Sequence, residues 1–394
     1  MSLNSNPTPH TPPLDDDPMD CLRLIRSRRV GAVTWHRLMA DHGSARAALA
    51  ALPEIARSAG LDTYEVCPAE VIRHEMAQGR LAGARLLVHG GPGYPVALMD
   101  LTDAPPILWA QGNIELLSRP MVALVGARNA SSLGLRMARR LAEGLGQAGL
   151  VIVSGLARGI DAAAHDAGLE TGTIAVQAGG VDVIYPEENA KLAGEILERG
   201  CRISEQAMGT VPQARHFPLR NRIVSGLSRA VVVVEAATRS GSLITAKNAL
   251  DQGRDVLAVP GHPFDARAAG CNVLLRDGAT LVRGPQDVLE AIGADVLPFA
   301  RAAAARDTAH TPARPPIPEA APPLPGPVLA RRPLGEMADI HSQILARLGP
   351  SPLAEDQLIR DLAMPPATVA SQLLTLELDG RVHRAPGGLL SRID

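Results

Sequence analysis

Four short segments carry residue types that can do chemistry, and three of them join an apolar run to a helical pattern. The first is Ala123-Leu-Val-Gly-Ala-Arg128-Asn-Ala-Ser-Ser132. Gly126 permits a tight backbone turn, Ser131 or Ser132 can cap a following helix, and Arg128 is suited to a phosphate or carboxylate. Read alone, it is equally a plain turn with an exposed arginine. The second is Ser154-Gly155-Leu-Ala-Arg158-Gly159-Ile-Asp161-Ala-Ala-Ala-His165. Its glycines allow close backbone approach, and a helix N-terminus offers unpaired N–H groups, so it reads as an anion cradle. Asp161 and His165 are four apart and share a helix face. They can form a metal or acid/base pair, but the preferred reading is an early-turn Asp favoured by the helix dipole with a His packed beside it.

The third segment is Pro212 to Gly226, centred on Phe217-Pro-Leu-Arg220-Asn221-Arg222, and the fourth is Val234-Glu235-Ala-Ala-Thr-Arg239-Ser240-Gly241-Ser242-Leu-Ile-Thr-Ala-Lys247. Between residues 206 and 254 the bases are Arg215, Arg220, Arg222, Arg229, Arg239, Lys247 and Arg254, against Glu235 and Asp251. That is a local charge of +5 in a chain whose formal net charge is −2. A basic patch on an otherwise acidic chain is the footprint of a polyanion site.

The elements that must position these segments follow from hydrophobic pattern. Apolar runs at Met121–Val125, Leu150–Ser154, Thr173–Gln177, Ala230–Glu235 and Asp255–Val259 alternate with helical stretches near 131–147, 160–170, 187–199 and 240–252. The Ala230 and Asp255 runs lack polar alternation, as strands buried on both faces do. The expected fold is α/β: a Rossmann-like, doubly wound, mostly parallel sheet over 85–297. The ligand crevice of such a sheet lies at the carboxyl ends of its strands, and three of the four segments, the first, second and fourth, fall at such ends with the same device.

Around this core the sequence predicts a tail over 1–18, broken by prolines, and a small helical domain of helix-hairpin-helix type over 19–84. Ten prolines between 298 and 333 mark a linker over 298–336. Residues 337–394 read helix, helix, helix, hairpin, a winged-helix pattern. Its third helix carries Glu377 and Asp379 and no Lys or Arg, which favours a protein-contact or structural role over base reading.

Composition removes several functions. Lys and Arg total 39 against 41 Asp and Glu, so bulk charge does not coat nucleic acid. Eight aromatics in 394 residues cannot build a long stacking platform, although Phe217 and Tyr185 leave one or two stacking contacts open. Both lysines, Lys191 and Lys247, follow alanine, so there is no P-loop, and the G-x-G-x-x-G dinucleotide fingerprint is also absent. The four cysteines at 21, 67, 201 and 271 are scattered and form no zinc pattern; no metal or cofactor is expected, and a reducing cytoplasm fits them best. No apolar stretch reaches the length of a membrane span, and the acidic, Pro-rich start is unlike a signal peptide.

The runs VGARNAS, SGLARGIDAAAH, TIAVQAGGVDVIYPEEN, ISEQ, HFPLRNRIVSGLS, VVVVEAATRSGSLITAKNAL and AVPGHP with GCNVLLRDGA, in that order, resemble the DNA-processing protein A family (DprA/Smf). The resemblance is dense over about 85–293. It implies a cytoplasmic, homodimeric single-stranded DNA binder that helps load the RecA recombinase, notably on DNA taken up in natural transformation, with no established catalysis. Carried onto this chain, it implies that Arg128 and the cradle with Ser154, Gly155, Arg158 and Gly159 contact phosphates. Phe217, Arg220, Asn221 and Arg222 would line the groove, with Arg239, Ser240, Gly241, Ser242 and Lys247 beside them. The position before Ser240 is often Lys in the family and is Arg239 here, which keeps charge but changes the hydrogen-bond fork.

Two other readings stand beside it. One is a Rossmann-like enzyme such as a nucleoside monophosphate phosphoribohydrolase. Those enzymes use P-G-G-x-G-T-x-x-E, where this chain has RSGSLITAKNA without that acid, leaving Glu205 and Glu235 as candidate acids. The other is a scaffold whose terminal domains bind partners.

Overall fold

The computed structural model describes residues 16–61, 63–293, 334–349, 352–385 and 389–393. The predicted linker, apart from 334–336, and nearly all of the N-terminal tail lie outside these residues.

Four helices open the chain: α1 (Pro18–Arg26), α2 (Ala32–His42), α3 (Ala45–Ser58) and α4 (Ala69–Leu81). Asp17 caps α1 by accepting the Met19 N–H, and Ser44 caps α3 through Ala47, so the start sites follow ordinary capping chemistry. Cys21, Leu24, Trp35, Leu38, Leu49 and Leu52 form the core shared by α1, α2 and α3, while Ile72 of α4 packs with Leu22, Ile107 and Trp109. This small body is pinned to the main sheet by charge-assisted bonds. Arg26 pairs with Glu75 at 2.8 Å, and the same carboxylate accepts the Trp109 indole N–H at 2.8 Å.

The central body runs β1 (Arg85–Val88), β2 (Ile107–Gly112), β3 (Met121–Gly126), α5 (Ser132–Gln147), β4 (Val151–Ser154), α6 (Ile160–Gly168), β5 (Thr173–Val176), α7 (Ala190–Arg199) and β6 (Cys201–Ser204). It continues with α8 (His216–Leu227), β7 (Ala230–Glu235), α9 (Ser242–Asp251), β8 (Asp255–Ala258), α10 (Ala269–Arg276), β9 (Thr280–Leu281) and α11 (Pro285–Ala291). The strands form one sheet in the order β1-β2-β6-β5-β4-β3-β7-β8-β9. From β6 to β9 every pairing is parallel; β1 and β2 extend the edge in antiparallel register. The expected mostly parallel α/β sheet is therefore present. All six residues of β7 are buried, which explains its unbroken Ala-Val-Val-Val-Val run. One layer packs Leu141, Leu145 and Ile160 against the sheet, the other Ile223, Leu227 and Ala246. Each fully buried Leu or Ile contributes about 1.5–3 kcal/mol relative to exposure.

Two elements escape the periodicity. Strand β6 is only Cys-Arg-Ile-Ser, and α8 carries Pro218 in its first turn and two arginines that turn out to be buried.

The last body contains α12 (Leu334–Arg347), β10 (Leu353–Ala354), α13 (Glu355–Leu362), α14 (Pro366–Leu378), β11 (Val382–Ala385) and β12 (Leu389–Arg392), with strand order β10-β12-β11. This is the expected winged helix, with α12 starting three residues before the expected boundary at 337. The acidic residue Glu377 of α14 joins Glu355 around Arg384, at 2.8 and 2.6 Å. Among the described residues no helix is long and apolar enough to cross a membrane.

Candidate functional site

The chain moves from β3 outward through β4, β5 and β6, then returns to place β7 on the other side of β3. Helices leaving neighbouring strands there pass to opposite faces, and a crevice opens at the carboxyl ends of β3 and β7. It encloses about 750 Å³ and is lined by Arg128, Phe217, Arg220, Asn221, Arg239, Ser240, Gly241 and Ser242 among others. A larger groove of about 1120 Å³ sits at the opposite end, near the starts of β3, β7 and β8. Its Arg254 is bonded to the Ala97 and Gly226 carbonyls, which makes that groove a seam between elements.

Arg220 dominates the crevice. Its side chain is 6% exposed, yet it forms no hydrogen bond and no ion pair with any described residue, and Nε is buried without a partner. Burial lowers its pKa from the ordinary value; Asp161 opposes that shift and Arg128 adds to it. The guanidinium occupies the space over Gly155: a Cβ there would lie 1.2 Å from Nη1. Arg128 is exposed and sits over the Phe217 ring, with Cζ 5.4 Å from the centroid, a cation–π geometry. Tyr185, half exposed, stands beside Phe217 with centroids 5.7 Å apart. Arg239 is exposed on the far lip.

The three strand ends that read alike in sequence differ in the structure. At the start of α5 the Glu235 carboxylate accepts the Ser131 N–H (3.0 Å) and the Ser131 hydroxyl (2.5 Å), and burial pushes its pKa up. At the start of α6 the expected anion cradle is already filled. The N–H groups of Gly155 and Ala157 donate to Asp161, at 3.1 and 3.3 Å, and the Leu156 N–H donates to His165 Nε2 at 3.3 Å. His165 Nδ1 then meets the Thr173 hydroxyl at 2.7 Å, and burial holds its pKa down at about 3. Asp161 and His165 thus brace the loop. The start of α9 differs in holding no carboxylate: Gly241 is its cap position, with no side-chain cap hydrogen bond of its own, Ser240 Oγ accepts the Ser242 N–H at 3.4 Å, and the Ser240 and Ser242 hydroxyls pair at 2.7 Å.

Several expected site residues stand elsewhere. Ser154 is fully buried, its hydroxyl donating to the Leu124 carbonyl at 2.6 Å. Gly155 serves the crevice through space for Arg220, and Gly159 (φ +76°) through packing: a Cβ there would lie 2.3 Å from the Ala127 carbonyl oxygen. Arg158 is exposed and pairs with Glu188 at 3.5 Å. Lys247 is exposed on the second turn of α9, outside the crevice lining. Arg222 points away. It donates to the Asp103 carbonyl (2.7 Å) and to Glu205, which also lies against Arg26 of the helical domain. Sequence reasoning missed Arg267, which lines the crevice from a loop without periodic pattern. Among the described residues no cluster of His, Cys, Asp and Glu is arranged to hold a metal ion.

Comparison with known proteins gives three family matches: DNA recombination-mediator protein A over residues 85–293, a DprA-like N-terminal HHH domain over 15–77, and a DprA winged helix domain over 311–388. The DNA processing protein DprA of Streptococcus pneumoniae is 48% identical over 198 residues, 50% of this chain and 70% of that protein. Protein Smf of Escherichia coli is 38% identical over 300 residues, 75% of this chain and 74% of its own. The crystal structure of the pneumococcal DprA superposes with a TM-score of 0.51 at 38% identity, covering 60% of this chain and 89% of that one.

Proposed function

This chain belongs to the DNA recombination-mediator protein A family, and from that premise we propose that it binds single-stranded DNA in the crevice between β3 and β7 and delivers it to the RecA recombinase. The observation that carries the reading is Arg220, a buried guanidinium without a counter-charge in contact, lining a crevice with Arg128 and Arg239 at its lips. A buried cation left unpaired is costly, and an arriving phosphate would relieve that cost with a bidentate bond. Arg128, Arg220 and Arg239 are the phosphate contacts, the start of α9 supplies the Gly241 N–H and the Ser240 and Ser242 hydroxyls, and Phe217 with Tyr185 offers the face for an unstacked base. A duplex hides both base faces, so single strands gain more from this arrangement.

Binding without turnover is the favoured chemistry. The acids a phosphoribohydrolase would need at strand ends are committed elsewhere, Glu205 to Arg222 and Glu235 to Ser131. RecA delivery rests on the family's recombination-mediator description. Homodimerisation and a cytoplasmic setting complete the proposal, both following from the sequence resemblance.

The deciding experiment is an anisotropy titration with single-stranded and duplex oligonucleotides. Arg128→Ala and Arg220→Ala are each expected to weaken single-strand binding about tenfold or more, in line with about 1.5–3 kcal/mol for a hydrogen bond to a charged group. Arg222→Ala is expected to lower thermal stability, because it strands Glu205, while leaving the crevice contacts in place. Unchanged affinity in the Arg128 and Arg220 variants would overturn the site, and release of free base from nucleoside monophosphates would favour the hydrolase.

A further inference from the structure

We propose that the crevice continues into a second binding groove, between the β8–α10 loop and the winged helix, where Phe264 stacks another base of the same DNA strand. This inference rests on the single-strand reading above. Asn129 and Arg267 line both the crevice and this neighbouring groove, so the two spaces adjoin. The groove holds about 260 Å³. That is below the range for drug-sized ligands and suits one flat ring system rather than a peptide helix.

Phe264 is the residue that needs an explanation. It is 82% exposed in a chain with three phenylalanines, although a ring left in water forfeits the burial that makes aromatics useful. The loop that carries it is built rather than loose. The Phe264 N–H donates to His262 Nδ1 at 3.3 Å, and the two rings sit 5.6 Å apart at 41°. Asn272 spans the loop base, accepting the Gly261 N–H at 3.2 Å and donating to the Gly261 carbonyl at 3.1 Å.

Arg267 fixes the opposite wall. It pairs with Asp265 at 3.1 Å and donates to the Ala346 and Leu348 carbonyls, at 2.6 and 3.0 Å, at the end of α12. Arg347 returns the contact to the Ala130 carbonyl at 2.9 Å, two residues beyond Arg128. Arg392 lines the groove as well and brings a cation from the last strand of the winged helix. A preorganised ring beside guanidinium side chains, adjoining the crevice proposed for a polyanion, is the chemistry of a nucleotide subsite.

The chain supplies its own probe. Both tryptophans, Trp35 and Trp109, are 1% exposed, so Phe264→Trp adds a single solvent-facing indole. Its emission is expected to be quenched by oligothymidine of about twenty nucleotides and hardly at all by one of about six, which fills the crevice alone. Leu81→Trp, at an exposed position of α4, is the control and should stay bright. Phe264→Ala should weaken the longer oligonucleotide at least about fivefold and the shorter one negligibly. If Phe264→Trp emission is unmoved and Phe264→Ala binds both lengths normally, while Arg128→Ala still loses affinity, this groove is refuted and the crevice stands. If the unaltered protein binds neither oligonucleotide, both fall together.

Discussion

Arg220 and Gly155 behave as one unit because the guanidinium fills the volume that a side chain at 155 would need. Gly155→Ala must therefore displace Arg220, and its effect on binding should match that of Arg220→Ala at roughly tenfold. Combining the two should add little, since residues in direct contact are not additive; a double-mutant cycle on oligonucleotide affinity checks it. A full tenfold further loss in the double variant would separate the two residues. His165 gives a second prediction at this scale. Its folded pKa of about 3 and that of His89 of about 4 lie below the ordinary 6.5 because both rings are buried. The unfolded chain therefore binds more protons between those values, so stability is full above about pH 6.5 and falls as pH drops toward 3–4. Each histidine contributes up to about 1.4 kcal/mol per pH unit in that window. Thermal unfolding midpoints at pH 7, 6 and 5 should decline, and His165→Gln should flatten the decline; an unaltered slope would remove His165 as a cause.

Helices and strands decide which of these side chains reach the ligand, and here the sequence was legible only in part. The alternation of apolar runs and helical stretches revealed the doubly wound sheet, because strands buried on both faces leave unbroken Val and Ile. What stayed hidden was rotation. Arg220 and Arg222 look equivalent in a linear motif, but on α8 they are about 200° apart, so one lines the crevice and the other meets Glu205 and Asp103. The three strand ends also looked equivalent. Which helix starts were already filled by Glu235 or Asp161 depended on long-range geometry that no local spacing encodes. The start of α9 gives the test. A Cβ at Gly241 meets nothing within 4 Å, and its φ of −61° is ordinary, so any residue fits. Gly241→Asp should keep or raise the thermal midpoint, because Asp is a good cap worth about 0.5–1 kcal/mol near a helix start, while weakening oligonucleotide binding about tenfold by placing a carboxylate where a phosphate would sit. Gly241→Asn should cap as well and bind normally. Equal binding by the Asp and Asn variants would mean the α9 start is not used.

Across the whole molecule, a few arginines gather at the crevice and several others join its parts. Arg26 ties the helical domain to the Glu205 carbonyl, Arg222 braces Glu205 and Asp103 within the central body, and Arg267 and Arg347 hold the winged helix to the crevice rim. In the proposed site Arg128, Arg220 and Arg239 face the phosphates, so salt should weaken binding moderately. The expected slope of log affinity against log salt is about −2 for single strands, reduced by about 0.7 in each of Arg128→Ala, Arg220→Ala and Arg239→Ala. A slope near zero, or one that none of the three variants changes, would show that other groups carry the charge. The carboxylates buried at two of the three helix starts have a consequence for competition by free nucleotides. Free nucleoside triphosphates carry their charge in one compact cluster and seek a place where several donors converge. Glu235 and Asp161 already sit at two such places and repel a third party. A polymer with one charge per nucleotide can still touch isolated arginines in turn, so free nucleotides should compete poorly for the groove proposed for DNA.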